Sequence, residues 1–326
     1  MQFNKRGLVA AMLALAAGSA HAVVVDLGVA GQFNAFIYND LTVQNWTHAE
    51  GAVAVGGNAN IGAGWGGATH DSATVNGQQW GLVVGGNLSV AGSGQISQGK
   101  TYVGGSLNPN PLPNNFNTAG GLQHGGAAPI DFAAVQSQLT TLSGTLQAEA
   151  ATGSVQTAGS RTRLMGTGGA FEVFNLDGDL LTNAAEFELY NIAAGATLVL
   201  NIGAGADKAL SYVGWDWSNF FVGNTGVKKD WNTVSTLVNF YDAENLFFQS
   251  NGLHFNILAP NAQVGGQWGH IEGTVVAESW NAATELRVGT PPFYSSSSSS
   301  GGSVPAPAPL LLVGAALCAL GLARRR

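Results

Sequence analysis

Gly51-Ala52-Val53-Ala54-Val55-Gly56-Gly57-Asn58-Ala59-Asn60-Ile61 is echoed by Gly81-Leu82-Val83-Val84-Gly85-Gly86-Asn87-Leu88-Ser89-Val90, and again by Lys100-Thr101-Tyr102-Val103-Gly104-Gly105-Ser106-Leu107. Each copy is an apolar strand, a Gly-Gly corner and a second short alternating strand. The corners lie roughly thirty and then twenty residues apart, which suits coils of a β-solenoid, where a coil buries its inner face only against its neighbours. Glycine is expected to supply positive φ at the bends and to let stacked coils approach closely. No G-x-x-x-x-G-K-[ST] pattern follows these strands, which argues against a phosphate loop.

The segment Pro129 to Ala150 breaks the β pattern. Asp131 can cap a helix, and Phe132, Val135, Leu139, Leu142 and Leu146 recur at helical spacing to form one apolar stripe. At 1.5 Å per residue such a helix is roughly 30 Å long and would cross about six strands stacked 4.8 Å apart, so it is expected along the flank of the solenoid. It contains no Lys or Arg, which argues against a membrane-surface helix. Further strands are expected at Ala170 to Leu176, Phe187 to Ile192, Thr197 to Ile202, Thr233 to Tyr241, Gly252 to Leu258 and Gly273 to Ala277. The fold class is therefore all-β, a single solenoid domain with one long amphipathic helix on its flank.

Both ends of the chain read as export signals. Lys5 and Arg6 precede an apolar run from Leu8 to Ala17, and Ala20-His21-Ala22 before Val23 is a small-x-small cleavage site. At the other end, Val304-Pro305-Ala306-Pro307-Ala308-Pro309 leads into an apolar stretch from Leu310 to Ala323 and into Arg324, Arg325 and Arg326. That stretch would make a helix of about 21 Å, a marginal transmembrane span, with the arginines on the cytoplasmic face and the extended prolines presented for cutting. The expected organisation is a secretory signal at 1–22, the solenoid at 23–293, a Ser/Gly linker at 294–303 and a sorting segment at 304–326.

Without the two signals, seven basic residues face 19 acidic ones, a net charge near −12 with histidine neutral, so nucleic acid is not an expected partner. The one cysteine, Cys318, lies in the C-terminal apolar run; the exported domain therefore has neither a disulfide nor a thiolate ligand or nucleophile.

Two resemblances follow from these residues. Val304 to Arg326 resembles the PEP-CTERM sorting signal of Gram-negative bacteria, with Ala306 where Glu is commonest; this implies an exosortase-type enzyme as partner and a transient stay in the inner membrane. The domain resembles the choice-of-anchor A family through Phe33-Asn34-Ala35-Phe36, Glu50-Gly51-Ala52-Val53, Ile130-Asp131-Phe132, Leu200-Asn201-Ile202, Val238-Asn239-Phe240, Ile257-Leu258-Ala259-Pro260-Asn261-Ala262 and Ile271-Glu272-Gly273-Thr274-Val275-Val276-Ala277. That resemblance implies a β-helical adhesive domain with no established active site, displayed on the cell envelope or in the extracellular matrix.

The side chains give little to an enzyme. Asp177 with Asp179, Glu186 with Glu188 and Glu272 with Glu278 are nominal carboxylate pairs of the kind glycoside hydrolysis needs, but nineteen acids produce such pairs by chance. Asn175, Asp177, Asp179, Asn183 and Glu186 have calcium-loop spacing, yet Leu180 stands where the turn needs glycine, so a plain turn is expected. His48, His70, His124, His254 and His270 show no metal-ligand spacing along the chain. The reading is a protein without catalytic, cofactor or metal residues. It would bind extracellular polysaccharide or another surface ligand through Asn, Thr and Ser and through aromatics such as Trp65, Trp80, Trp215 and Trp217. A polysaccharide-active enzyme and an ice-binding-type solenoid are the competing readings, the latter lacking a Thr-x-Thr ladder.

Overall fold

Val53–Val55, the end of Gln78–Val84 and Lys100–Val103 stack in parallel, Val53 on Leu82 and Leu82 on Thr101, as the repeat predicts. The structure, a computed structural model, describes residues 25–158, 161–178, 180, 186–203, 210–213, 221–222, 234–289 and 293. Among the described residues of Val25–Ser295, parallel stacking builds a solenoid with three faces.

The first face runs Phe171–Asp177, Thr197–Gly203, Ser235–Phe240, the starts of Asn256–Glu272 and Val275–Arg287, then Ala35–Ile37, Val53–Val55, Gln78–Val84, Lys100–Val103 and Leu122–His124. Stacking order is thus not chain order. Ala35–Ile37 pairs with Val53–Val55 on one side and with Val275–Ala277 on the other, so the first and last coils are neighbours.

The first-face strands Ala35–Ile37 and Val53–Val55 are apolar and buried at every position because both sides are covered. Val53, Val55, Leu82, Val84, Leu198 and Leu200 point into the shared core, while Ala54, Val83 and Val199 are buried on the opposite side. Helix α1 (Phe132–Ala148) covers that second side from the Gly56 corner to Asn201. Asp131 caps it, accepting from the Ala134 amide at 3.0 Å, and Val135, Leu139 and Leu146 are buried, with Phe132 and Leu142 half-buried. Phe132 packs on Phe36 at 5.2 Å between ring centroids, and the far end of the helix reaches Asn201. From the Gly56 corner to Asn201 it crosses six strands, the span its length predicts.

Polar side chains fix the helix in register. Ser143 Oγ donates to Asn239 Oδ1 at 2.6 Å, and Asn239 Nδ2 donates to Ser143 O and to Asn201 Oδ1. Asn201 Nδ2 donates in turn to Leu146 O at 2.6 Å and to Asn175 Oδ1 at 3.0 Å.

The corner glycines depart from expectation. Gly56, Gly57, Gly85, Gly86, Gly104 and Gly105 are not among the positive-φ residues; their service is close approach. A Cβ on Gly85 would lie 2.4 Å from Gly56 O, and one on Gly104 would lie 2.4 Å from Gly85 O. The longer first spacing is an insertion: Ala73–Val75 folds back antiparallel on Gln78–Val84 through an Asn76-Gly77 turn, both residues at positive φ, the arrangement that two-residue hairpins favour. The expected single strand from Gly252 to Leu258 is also two elements, because Asn245–Leu253 ends and Asn256–Glu272 begins around the corner at His254 and Phe255. At the other end of the stack, Ser154–Ala158 runs antiparallel to Arg161–Met165.

Candidate functional site

Strict alternation on the second face puts one side chain per coil outward. Leu41 and Val43, Ala59 and Ile61, Leu88 and Val90, and Trp280 and Ala282 point into the core, leaving Thr42, Asn60, Ser89 and Asn281 outside. The register extends this row to Phe247, Gly265, Asn281, Thr42, Asn60, Ser89 and Asn108, one residue per strand at about 4.8 Å spacing. None of the seven is ionisable. A shallow groove of about 410 Å³ runs over Thr42, Asn60, Gly62, Ser89, Ala91 and Pro109.

The Gly-Gly-Asn corners hold this row rigid. Asn58 N donates to Asp40 Oδ1 at 2.7 Å, Asn87 N to Asn58 Oδ1 at 2.9 Å, and Ser106 N to Asn87 Oδ1 at 2.7 Å. The two residue types therefore divide the work: glycine lets the coils approach, and the asparagine carbonyl accepts the amide of the coil above.

Aromatics are placed differently from the sequence reading. Trp65 and Trp80 are buried, because they fill the core and the space beside Tyr102, and Trp215 and Trp217 lie outside the described residues. Among the described residues the exposed tryptophans are Trp46, 79% accessible, and Trp268, 65% accessible. Both have positive φ, 62° and 60°, which a bulky residue adopts only under constraint, and both stand at the edge between the second and third faces. The coil of Val275–Arg287 separates them, so they are about 10 Å apart along the stack. Trp46 lies over Gly64 of the next coil, and Phe247 lies over Gly265 in the same manner.

The third face carries a stripe of histidines, glutamates and an arginine. His254 Nδ1 is 2.7 Å from Glu272 Oε2, and His270 Nε2 is 3.4 Å from Glu272 Oε1. One coil on, Arg287 donates to Glu285 at 2.7 Å and His48 Nδ1 is 3.4 Å from Glu285 Oε1; beyond it His70 Nδ1 is 3.9 Å from Glu50 Oε1. Burial, followed by the Arg287 charge, holds the His270 pKa below its ordinary value. Linear spacing gave no sign of this stripe. The signal that could have found it is the coil period, since His254 and Glu272 are 18 residues apart. His124 stands apart, on Gly105 O at 2.7 Å.

The nominal carboxylate pairs do not gather into a catalytic site among the described residues. Glu272 meets histidines on the third face, whereas Glu278 accepts from Asn39 at the corner of the first and second. Glu188 pairs with Arg163 at 2.6 Å, and Asp179 and Asn183 of the calcium-like loop lie outside the described residues. Glu172 is fully buried; burial raises its pKa, but hydrogen bonds from Thr152, Thr167 and the Thr167 and Gly169 amides outweigh that and leave it lowered. These bonds close the turn from Thr167 to Gly169 and leave the carboxylate no open side chemistry.

Ala20, Ala22 and Val23, together with Val304, Pro305, Pro307, Pro309, Arg324, Arg325 and Arg326, lie outside the described residues. Among the described residues no helix is long and apolar enough to cross a membrane.

The described residues thus form a parallel solenoid with an uncharged row on one face and a helix on its flank. Residues 26–288 match the family described as "Putative Ice-binding-like adhesive domain", and the chain belongs to that family. Two solved structures are similar at 13% identity over 82% of this chain. One is an ice-binding protein from the Antarctic ascomycete Antarctomyces psychrotrophicus, covered over 100% of its length with a TM-score of 0.28. The other is a domain of an ice-binding protein of Shewanella frigidimarina, covered over 99% with a TM-score of 0.30. No curated protein matches the chain.

Proposed function

We propose that this protein is an exported, non-catalytic adhesin that binds neutral polysaccharide or a similar hydroxyl-rich surface along its second face. The observation that carries the reading is the uncharged row from Phe247 to Asn108, bordered by Trp46 and Trp268. Amide and hydroxyl groups at regular spacing pair with sugar hydroxyls, and exposed indoles supply stacking platforms. A rigid row loses little conformational entropy on binding. Family membership supports adhesion. The same family description supports ice as a second ligand, against which stands the presence of a single threonine, Thr42, in the row.

The chain would reach its place by the route its ends encode. Cleavage before Val23 and exosortase processing near Pro305, Pro307 and Pro309 would deliver the domain, of choice-of-anchor A type, to the envelope or matrix of a Gram-negative cell, with Leu310 to Ala323 only passing through the inner membrane. A glycan array with the secreted protein tests the binding, with Asn60→Lys and Asn281→Lys each expected to weaken a captured glycan at least about tenfold, a loss of about 1.4 kcal/mol. Thermal hysteresis without glycan capture would transfer the function to ice. Mass analysis finding Arg326 on the surface-exposed protein would overturn the sorting route.

A further inference from the structure

We propose that His254, His270 and Glu272 form a binding site on the third face for a divalent transition-metal ion. The three offer ligand atoms that all lie within 4.8 Å of one another, and each side chain is about a quarter exposed, 24%, 24% and 23%. They are thus held by packing and still open to solvent.

The fold brings them together by two periodicities. His270 and Glu272 are alternate residues of the strand Asn256–Glu272, so both side chains leave the same side of the sheet. Leu253 pairs with Ile271 in parallel register, which places His254 beside Glu272 on the neighbouring coil. Gly252 lies opposite His270, and a Cβ there would come within 3.2 Å of His270 Cε1, so glycine makes the room that the imidazole occupies. The two rings are 5.8 Å apart and nearly perpendicular at 88°, an arrangement in which their nitrogens converge on the carboxylate without the rings stacking.

The distances suit a small ion. Bonds of 2.0–2.1 Å in a tetrahedron put ligand atoms about 3.4 Å apart. His270 Nε2 and Glu272 Oε1 are already at 3.4 Å, and the 2.7 Å contact of His254 with Glu272 needs to open by less than about 1 Å as the ion replaces the shared proton. Two imidazoles and one carboxylate select Zn²⁺, Co²⁺, Ni²⁺ or Cu²⁺ over Ca²⁺ and Mg²⁺, which prefer oxygen donors alone. Arg287, the cation nearest in sequence register, is engaged with Glu285 at 2.7 Å. Three protein ligands leave a coordination position for water, and the ion ties the coil that ends at Leu253 to the coil above it.

Titration of the full chain with Zn²⁺ by calorimetry, and with Co²⁺ by visible absorption, tests this directly. One equivalent is expected to bind with a dissociation constant in the micromolar range or tighter and to raise the melting temperature, while equimolar Ca²⁺ does neither. His254→Ala and Glu272→Gln should each weaken Zn²⁺ at least about tenfold and abolish its thermal shift, with His124→Ala unchanged. His270→Gln serves as the third variant if either of the first two misfolds by circular dichroism. Absence of saturable binding below about 100 µM, or binding that persists in all three variants, overturns the proposal.

Discussion

Asn34 donates from its side-chain amide to the carbonyl of Gly273 at 2.7 Å, joining residues 239 positions apart in the chain. The same amide reaches Arg287 O at 3.0 Å, and Asn34 Oδ1 accepts from Gly51 N at 2.6 Å. One buried side chain thus satisfies backbone groups of the coils on both sides of it. Asn34→Ala would leave Gly51 N and Gly273 O without the partner they have here, Arg287 O keeping the Gly273 amide at 3.0 Å, and the expected loss is about 3 kcal/mol in denaturant unfolding. A change under about 0.5 kcal/mol would show that water replaces the amide there.

Gly85 and Gly77 separate two uses of glycine. Alanine at Gly85 would place its Cβ 2.4 Å from Gly56 O, a backbone atom that can yield only if the coils part. At Gly77 nothing lies within 4 Å of the added carbon, and only its φ of +75° opposes the change. Gly77→Ala should therefore cost about 1 kcal/mol. Gly85→Ala should cost about 3 kcal/mol or more and lower the soluble yield. Equal melting temperatures for the two variants would contradict the close-approach account.

Glu172 gives the domain an acid-sensitive turn. Its pKa is lowered in the folded protein, so the unfolded chain binds its proton first on acidification. The contribution of this group is fully present above about pH 4.3, the unfolded glutamate value, and is lost as pH falls through the lower folded value. The stability gap between wild type and Glu172→Gln should accordingly be widest above that pH and should narrow below it. Urea midpoints of both proteins between about pH 3 and pH 7 measure this, and a gap independent of pH would remove Glu172 from the account.

The coils and the helix were legible in the sequence because their signals are local. Gly56-Gly57-Asn58 and its echoes state the repeat, and the spacing of Phe132, Val135, Leu139 and Leu146 states the helix. Ser143 was not legible as an anchor, since its partner Asn239 is 96 residues away. Nor was the corner at His254 and Phe255, where apolar alternation continues through a change of face. Trp65 and Trp80 read as sugar platforms only when burial is ignored, and large aromatic side chains contribute most to a core. The histidine cluster stayed hidden because its spacing is that of coils, not of a helix or a short metal loop.

Chain order and stacking order differ at one place, and this makes a permutation informative. Leu27 N donates to Phe293 O at 2.7 Å, so the two ends of the described domain already meet. Between Ala150 and Ala151 the chain is exposed and belongs to no strand or helix. Joining residue 293 to residue 25 with a short linker and opening the chain between Ala150 and Ala151 would make successive coils follow one another from Arg161–Met165 to Leu122–His124, with α1 last. No strand pair is cut by this change. The permuted domain should therefore keep the native circular dichroism spectrum, unfold in a single transition and lie within about 2 kcal/mol of the unpermuted domain. If it failed to fold while the unpermuted domain did so, Ala35–Ile37 would owe its position to chain connectivity, and the pairing of Ala35 with Val275 would not be the contact that closes the stack.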